Sequence, residues 1–233
     1  MPTPIRRILA ATDLSHHAEV ALRRAAGIAR EHGAELEILH ALAATPVLVP
    51  AWGDPGAAPW LREEVLSEGV QEHLSELATR LVGDGGLVVR TRLLHGHPQD
   101  AIAQQAEDSD ADLVVIGAHG EGGLLDRVLG STARRLLRRC RRPVLVVRGE
   151  SDAGPARVMV GTDFSDNAAQ AVRALARLAP GADLLLVHAH EPELEKRMAY
   201  ARVDRALGQR YLEAARQQAA QALDRAAADL AAE

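Results

Sequence analysis

The chain has 233 residues and a net charge of −5, and its composition is that of an ordinary globular protein, 47% hydrophobic and 25% charged. Aromatic residues make up only 2%, which leaves few rings for stacking on exposed bases, and the net charge gives no general attraction to phosphate backbones or anionic membranes. We therefore expect neither nucleic acid nor a membrane as a partner. The single cysteine, Cys140, excludes an intramolecular disulfide and a cysteine-based zinc cluster.

The apolar run nearest the start of the sequence covers only residues 8–11, which is too short for a signal peptide. Other apolar runs are also far shorter than a membrane-spanning segment. These lengths predict a cytoplasmic protein.

Strand and helix patterns alternate through the first 148 residues. Short aliphatic-rich runs of the kind found in buried parallel strands predict strands at 8–11, 36–39, 87–94, 113–116 and 144–147. Helical spacing, caps and a first-turn proline predict helices at 18–31, 61–81, 98–107 and 131–141. This alternation predicts an open, doubly wound parallel α/β sheet with right-handed crossovers.

After a polar link at residues 149–155, the pattern starts again. Residues 11–15, ATDLS, return as residues 161–165, GTDFS, and the strand that ends in His40 returns as one that ends in His188. We therefore predict an internal repeat, with a complete unit at 1–148 and a partial unit at 156–233 that lacks the later strands and the glycine-rich loop. Because two strands alone make no stable sheet, the partial unit is expected to lean on the first unit or on another chain, or to belong to a longer product.

A glycine-rich loop, GAHGEGGLLDRVLGS at residues 117–131, follows the fourth predicted strand. Open α/β sheets bind ligands at the carboxyl ends of their strands, and glycines let a backbone approach phosphates closely. Ser131 opens a helix whose first amide groups favour an anion. The loop has neither the P-loop pattern nor the G-x-G-x-x-G order, so its composition leaves two readings open, a phosphate site and a purely structural set of turns.

The spacing Gly117-x2-Gly120-x9-Gly130-Ser131 resembles the ATP-binding motif of the universal stress protein family. Thr12-Asp13-Leu14-Ser15, Gly96-His97-Pro98 and the aliphatic strands at 113–116 and 144–147 are similar to that family too. The resemblance covers residues 4–148 and, partially, 156–230. It implies a complete ATP-binding domain followed by an incomplete second copy.

The resemblance also implies roles for individual residues. Asp13 and Gly117 would border the ribose, and the backbone around Ala41 would meet the adenine edge. The phosphates would be held by Gly120, Gly130, Ser131 and Thr132. A divalent cation, Mg²⁺, is expected among the phosphate oxygens. The second unit keeps only Asp163 of this set and is expected to hold no ATP site of its own.

Several of these side chains have an alternative, structural interpretation. Asp13 is suited equally to capping the turn at Ser15. His119 lies in the loop and is placed either to touch phosphate or to face solvent. His40 and His188 end equivalent strands, which indicates a shared packing or hydrogen-bonding need.

For three other groups of residues, a structural or solvent-exposed role is favoured over a functional one. His95 and His97 flank a glycine without further ligands at metal-binding spacing, so a solvated loop is favoured over a metal site. Cys140 lacks a nearby base and is interpreted as a packing residue. A solvated face is the default for the arginines, with a phosphate contact from Arg134 or an acidic partner as secondary options. The arginines are Arg134, Arg135, Arg138, Arg139, Arg141 and Arg142.

The favoured function is an ATP-binding stress-response regulator with little or no turnover, because no side chain stands out as a catalytic base. The first alternative is an interaction module of the same fold with an empty pocket. The second is a slow ATPase or another ATP-consuming enzyme. In each case residues 144–147 form an unpaired aliphatic edge, which predicts a homodimer through that strand.

Overall fold

A computed structural model of the chain describes residues 4–43, 63–83, 86–119, 129–149, 154–189 and 205–232. The chain divides into two compact units, Pro4–Ala153 and Gly154–Glu233, called the first and second unit below. Within the described ranges, no helix combines the length and the apolar character that a membrane crossing requires.

The first unit alternates strands with helices throughout. Its elements are β1 (Arg7–Thr12), α1 (His16–His32), β2 (Glu35–Leu42), α2 (Glu63–Val82), β3 (Val89–His95), α3 (Pro98–Asp108), β4 (Leu113–Gly117), α4 (Ser131–Arg139) and β5 (Val144–Val147). The five strands form one parallel sheet in the order β3-β2-β1-β4-β5. The predicted open, doubly wound α/β sheet is confirmed.

The central strand β1 shows why these aliphatic runs form a sheet. Ile8, Leu9 and Ala10 are each at most 1% exposed, so both faces of β1 are covered. On one face, Leu9 belongs to a core cluster with Ile102 of α3 and Leu136 of α4. Such a strand needs apolar residues along its central, buried positions, as Ile8 to Ala11 show.

Local signals set the ends of the helices. The Ser15 hydroxyl accepts a hydrogen bond from the Ala18 amide and caps α1, which ends at Gly33 in the left-handed conformation, with φ of 65°. Helix α4 ends at Arg139 rather than at the predicted residue 141, because Cys140 adopts an extended backbone that leads into the next strand. Strand β3 begins at Val89, two residues after the predicted start.

The second unit contains β6 (Arg157–Gly161), α5 (Asp166–Leu178), β7 (Asp183–Val187) and α6 (Arg205–Ala232). Strands β6 and β7 form a two-stranded parallel sheet in the part of the chain that is described. Its strand–turn–helix geometry matches that of the first unit. Leu14 and Phe164 both have left-handed φ values, 66° and 63°, and Ser15 and Ser165 both cap the helix that follows.

Candidate functional site

A cavity of about 540 Å³ opens at the carboxyl ends of β1, β2 and β4. This volume is within the usual range for small-molecule sites. Its described lining consists of Ala11, Thr12, Asp13, Ala18, Leu39, His40, Ala41, Pro98, Ile102, Ile116, Gly117, Ala118, His119, Gly130, Ser131, Thr132 and Ala133. Of the residues predicted to bind the nucleotide, all those within the described ranges line this cavity.

The strand order explains the position of the cavity. Strand β1 pairs with β2 on one side and with β4 on the other, so the direction of winding reverses between β1 and β4. The loops that follow these two strands run in opposite directions and leave a crevice between them. Gly117 and Asp13 come to the same crevice in this way, although they are far apart in the sequence.

The N-terminus of α4 forms one wall of the cavity through Ser131, Thr132 and Ala133. The residue before the helix is Gly130, which has no side chain with which to cap it. The first amide groups of a helix lack internal partners, and together with the helix dipole they favour an anion. This wall is therefore suited to phosphate oxygens.

Tight contacts disfavour a side chain at both ends of the loop. A Cβ atom on Gly130 would lie 3.3 Å from the carbonyl oxygen of Ala118. A Cβ atom on Gly117 would lie 3.3 Å from the carbonyl oxygens of both His17 and His119. These are tight contacts with backbone atoms, so a side chain at either position would displace the backbone that lines the cavity.

Backbone hydrogen bonds hold the two ends of the loop together. The Ala118 amide donates to the carbonyl of Val147, and the Gly130 amide donates to the carbonyl of Ala118, both over 2.9 Å. The start of α4 is thereby fixed beside the end of β4. The predicted phosphate ligand Gly120 lies outside the described residues, as does the rest of the segment 120–128.

Asp13 shapes the turn before α1 and also lines the cavity. Its Oδ1 accepts hydrogen bonds from the amide of Ser15, over 3.1 Å, and from the Ser15 hydroxyl. Thr12 supports the same turn, since its Oγ1 accepts a hydrogen bond from the Leu14 amide over 2.9 Å. Asp13 is exposed at the mouth of the cavity while it also shapes the turn that leads into α1.

The two histidines of the cavity differ in how they are held. The Nδ1–H of His40 donates to the carbonyl oxygen of Thr12 over 2.8 Å. His119 lies beside His17, with ring centroids 6.4 Å apart in an edge-on arrangement. His40 is thus fixed by the sheet, whereas His119 is placed by the loop.

Several wall residues were not anticipated from the sequence, among them two on α3. Pro98 and Ile102 of α3 line the cavity, and Ile102 is 4% exposed. Their apolar pattern predicted a helix, but it gave no indication that this helix begins beside the glycine-rich loop. The position of α3 follows from the topology of the sheet, in which α3 begins at the edge where β4 ends.

Other candidate residues lie elsewhere. Neither His95 nor His97 lines the cavity, and the described residues contain no cluster of three or more side chains suited to a metal ion. Arg134 is exposed on α4 and is absent from the described lining. Burial raises the pKa of the half-buried Cys140 thiol, which agrees with a packing role.

Arg139 of α4 forms an ion pair with Asp100 over 3.1 Å, and Arg142 has two carboxylate partners. The Arg142 guanidinium donates to carboxylate oxygens of Glu107 and Asp110, each over 3.2 Å. It ties the turn before β5 to the end of α3 and is set apart from the exposed arginines of α4.

The chain matches the family model for universal stress proteins over residues 4–148. It is 33% identical over 144 residues to a universal stress protein of Methanocaldococcus jannaschii, covering 61% of this chain and 82% of that protein. It is also 33% identical over 143 residues to one of Thermus aquaticus, covering 61% and 98%. The fold resembles the crystal structure of a universal stress protein from Archaeoglobus fulgidus, with a TM-score of 0.59, 20% identity, and coverage of 84% of this chain and 71% of that one. The chain belongs to the universal stress protein family.

Proposed function

We propose that the first unit binds ATP in the cavity at the carboxyl edge of its sheet. The observation that carries this proposal is the start of α4, where Gly130 leaves the first amide groups of the helix without a side-chain cap and facing a cavity of nucleotide size. Helix α1 shows the contrast, because the Ser15 hydroxyl already occupies its first turn. At α4 a bound anion would accept hydrogen bonds from the first amide groups, as the Ser15 hydroxyl does at α1.

The lining supports a definite arrangement of the nucleotide. The phosphates lie against Gly130, Ser131 and Thr132, with His119 beside them. The ribose lies between Asp13 and Gly117, and the adenine edge meets the backbone at Ala41. The whole nucleotide fits within one cavity, because Ala41 at the adenine end and Thr132 at the phosphate end both line it. A phosphate contact from Gly120 stays a prediction.

Mg²⁺ fits this site as a companion of the phosphates. Among the described lining residues Asp13 is the only carboxylate, and its Oδ1 already accepts hydrogen bonds from Ser15. Magnesium in nucleotide sites takes most of its ligands from phosphate oxygens and water. When bound, the ion would neutralise phosphate charge, while the chain holds the nucleotide mainly through backbone amides.

The same scarcity of carboxylates supports a regulator rather than an efficient enzyme. Activation of water needs a base within hydrogen-bond reach of the γ-phosphate. The described part of the cavity provides Asp13, which shapes a turn, and two histidines, of which His40 is fixed by the Thr12 carbonyl. We therefore propose a nucleotide-dependent stress-response regulator with slow hydrolysis at most.

Calorimetric titration with ATP and Mg²⁺ tests the site. Gly130→Leu is expected to weaken ATP binding by tenfold or more, because its side chain meets the Ala118 carbonyl and disturbs the start of α4. Gly161→Leu is the matched control, since a Cβ there meets no heavy atom within 4 Å and the residue lies in the second unit. Equal affinity in the two variants overturns the site, and an absence of ATP binding in the wild type favours an interaction module.

We further propose that residues 156–233 are a partial second copy of the family fold, joined by a linker at 149–155. The support is the shared turn geometry and the shared strand register, in which Arg157 pairs with Asp183 as Arg7 pairs with Glu35. The Archaeoglobus fulgidus structure also covers more of the chain than the first unit alone. The second unit is proposed to hold no ATP site.

A further inference from the structure

A second cavity, of about 570 Å³, lies between α1 and α2. Helix α1 contributes Glu19, Leu22, Arg23, Gly27 and Arg30 to its described lining, and α2 contributes Leu77, Arg80 and Leu81. Among the described residues, none lines both this cavity and the one proposed for ATP. We propose that this groove, referred to as the α1–α2 groove, binds a small organic anion with an apolar body and a phosphate or carboxylate group.

Gly27 keeps the groove open. It lies in the middle of the 17-residue helix α1, where glycine costs helix stability relative to alanine. Packing does not require that cost, because a Cβ atom at Gly27 would meet no heavy atom within 4 Å. The missing side chain instead leaves space between Arg23 and Arg30, which flank it at positions i−4 and i+3 on one helix face.

The charge of the groove selects an anion. Its described lining has three guanidinium groups and one carboxylate, on a chain whose net charge is −5. Arg80 is paired with Glu19 over 3.5 Å, and an Arg30 guanidinium nitrogen donates to the Leu81 carbonyl. Arg23 has no ion-pair or hydrogen-bond partner within the described part of the chain. Guanidinium groups favour phosphate and carboxylate because their N–H groups match two oxygens at once.

The floor of the groove is apolar. Leu22 and Leu77 are 1% and 3% exposed, and Leu81 lies beside them at the end of α2. Leu22 and Leu77 are already covered by the protein, so an alkyl or ring portion would pack against the half-buried Leu81 and the methylene stems of the rim arginines. The combination of an apolar floor and a guanidinium rim is typical of sites for small amphiphilic anions.

Titration with octyl phosphate below its micelle concentration tests the proposal. Wild type is expected to bind one equivalent in the groove, more tightly than inorganic phosphate and more tightly than the neutral amphiphile octyl glucoside. Gly27→Leu is expected to weaken octyl phosphate binding by about tenfold or more, because the new side chain fills the groove. Arg23→Gln is expected to weaken it by about tenfold through loss of a charge-assisted hydrogen bond.

Two matched variants serve as controls. Gly69→Leu replaces an exposed glycine of α2 with open space around it, and Arg138→Gln removes an exposed arginine of α4. Both are expected to bind octyl phosphate as wild type does. Leucine favours helix over glycine, so Gly27→Leu should keep its circular dichroism spectrum and melting temperature. Equal affinity of Gly27→Leu and Gly69→Leu, or equal affinity for octyl glucoside and octyl phosphate, overturns the proposal.

Discussion

His40 and Thr12 are joined by a hydrogen bond from the ring Nδ1–H to the backbone carbonyl, 2.8 Å long, between the ends of adjacent parallel strands. The same bond, also 2.8 Å, joins His188 to Thr162 at the equivalent place in the second unit. The shared hydrogen-bonding need that the sequence indicated for the two histidines is confirmed. In the first unit the bond also positions a cavity wall, because both His40 and Thr12 line it.

Replacing His40 by leucine should destabilise the first unit. Thr12 is 6% exposed, so the variant leaves a buried carbonyl without its donor. The expected loss is roughly 1–3 kcal/mol in the free energy of unfolding, measured by urea denaturation. His73→Leu, at an exposed position of α2, is the control and should change stability by less than about 0.5 kcal/mol. Equal effects of the two substitutions would show that the His40–Thr12 bond contributes nothing.

Strand β5 is an edge strand of its sheet. A homodimer through residues 144–147 is consistent with this position and stays a prediction. The carbonyls of Pro143 and Val147 accept hydrogen bonds from the β4 side. Backbone groups alternate in direction along a strand, so those of Val144 and Val146 face away from β4. These outward groups are the ones a partner strand would use.

Val146→Pro should therefore convert a dimer into a monomer. Proline removes the outward amide of Val146 but takes no hydrogen bond from the β4–β5 ladder, as edge strands permit. Val146→Ala, which shortens the same side chain and keeps the amide, should remain dimeric. Light scattering at micromolar concentration distinguishes the two. A wild-type monomer under these conditions would contradict the predicted dimer.

Cys140 should react slowly with thiol reagents. Burial raises the pKa of its thiol, with a smaller contribution in the same direction from the negative charge of Glu107, so the thiolate is scarcer at neutral pH than in a free cysteine. Alkylation by iodoacetamide at pH 7.5, followed by mass spectrometry, should be several-fold slower than that of N-acetylcysteine. The chain unfolded in guanidinium chloride should react at the rate of the free thiol. A native rate equal to the unfolded one would exclude protection by burial.

Asp163 should titrate below the ordinary range of an aspartate. The pKa of its carboxyl is lowered chiefly by hydrogen bonds from the side chain and the amide of Ser165, the latter 2.9 Å long. Because this pKa is lower in the folded chain than in the unfolded chain, the ionised carboxyl stabilises the turn at pH values above the unfolded pKa. The stabilisation is lost as the pH falls through the folded pKa. Ser165→Ala should raise the Asp163 pKa relative to the wild type in an NMR titration. An unchanged value in Ser165→Ala would contradict the assigned cause.

The strands were predicted well because burial on both faces requires uninterrupted aliphatic residues. Leu113 to Ile116 is such a run, and β4 extends beyond it by one residue. Ends of elements that depend on tertiary contacts were predicted less well. Nothing in the sequence before Pro143 shows that Cys140 leaves the helical conformation. The predicted α4 was therefore two residues too long.

The site was predictable where it depends on local motif and was not where it depends on strand order. Gly130 and Ser131 were identified from their spacing, and the structure places both in the cavity. Ile102 required knowledge that α3 begins at the same edge of the sheet as β4 ends. The α1–α2 groove depends on how two helices pack, and Gly27 alone, as one glycine in a helical pattern, gives no indication of it.

The strand order has a consequence for how the chain folds. Ile8 in β1 pairs with Leu36 on one side and with Leu113 on the other, so the central strand meets its second neighbour only after three helices have been passed. During synthesis on the ribosome, the β1–α1–β2 segment emerges before β4, and one backbone edge of β1 has no partner strand in that interval. In the second unit, Val158 of β6 pairs with Leu184 of β7, which follows it after a single helix. The long separation in sequence between Ile8 and Leu113 makes the pairing of β1 with β4 the expected slow step in folding of the first unit.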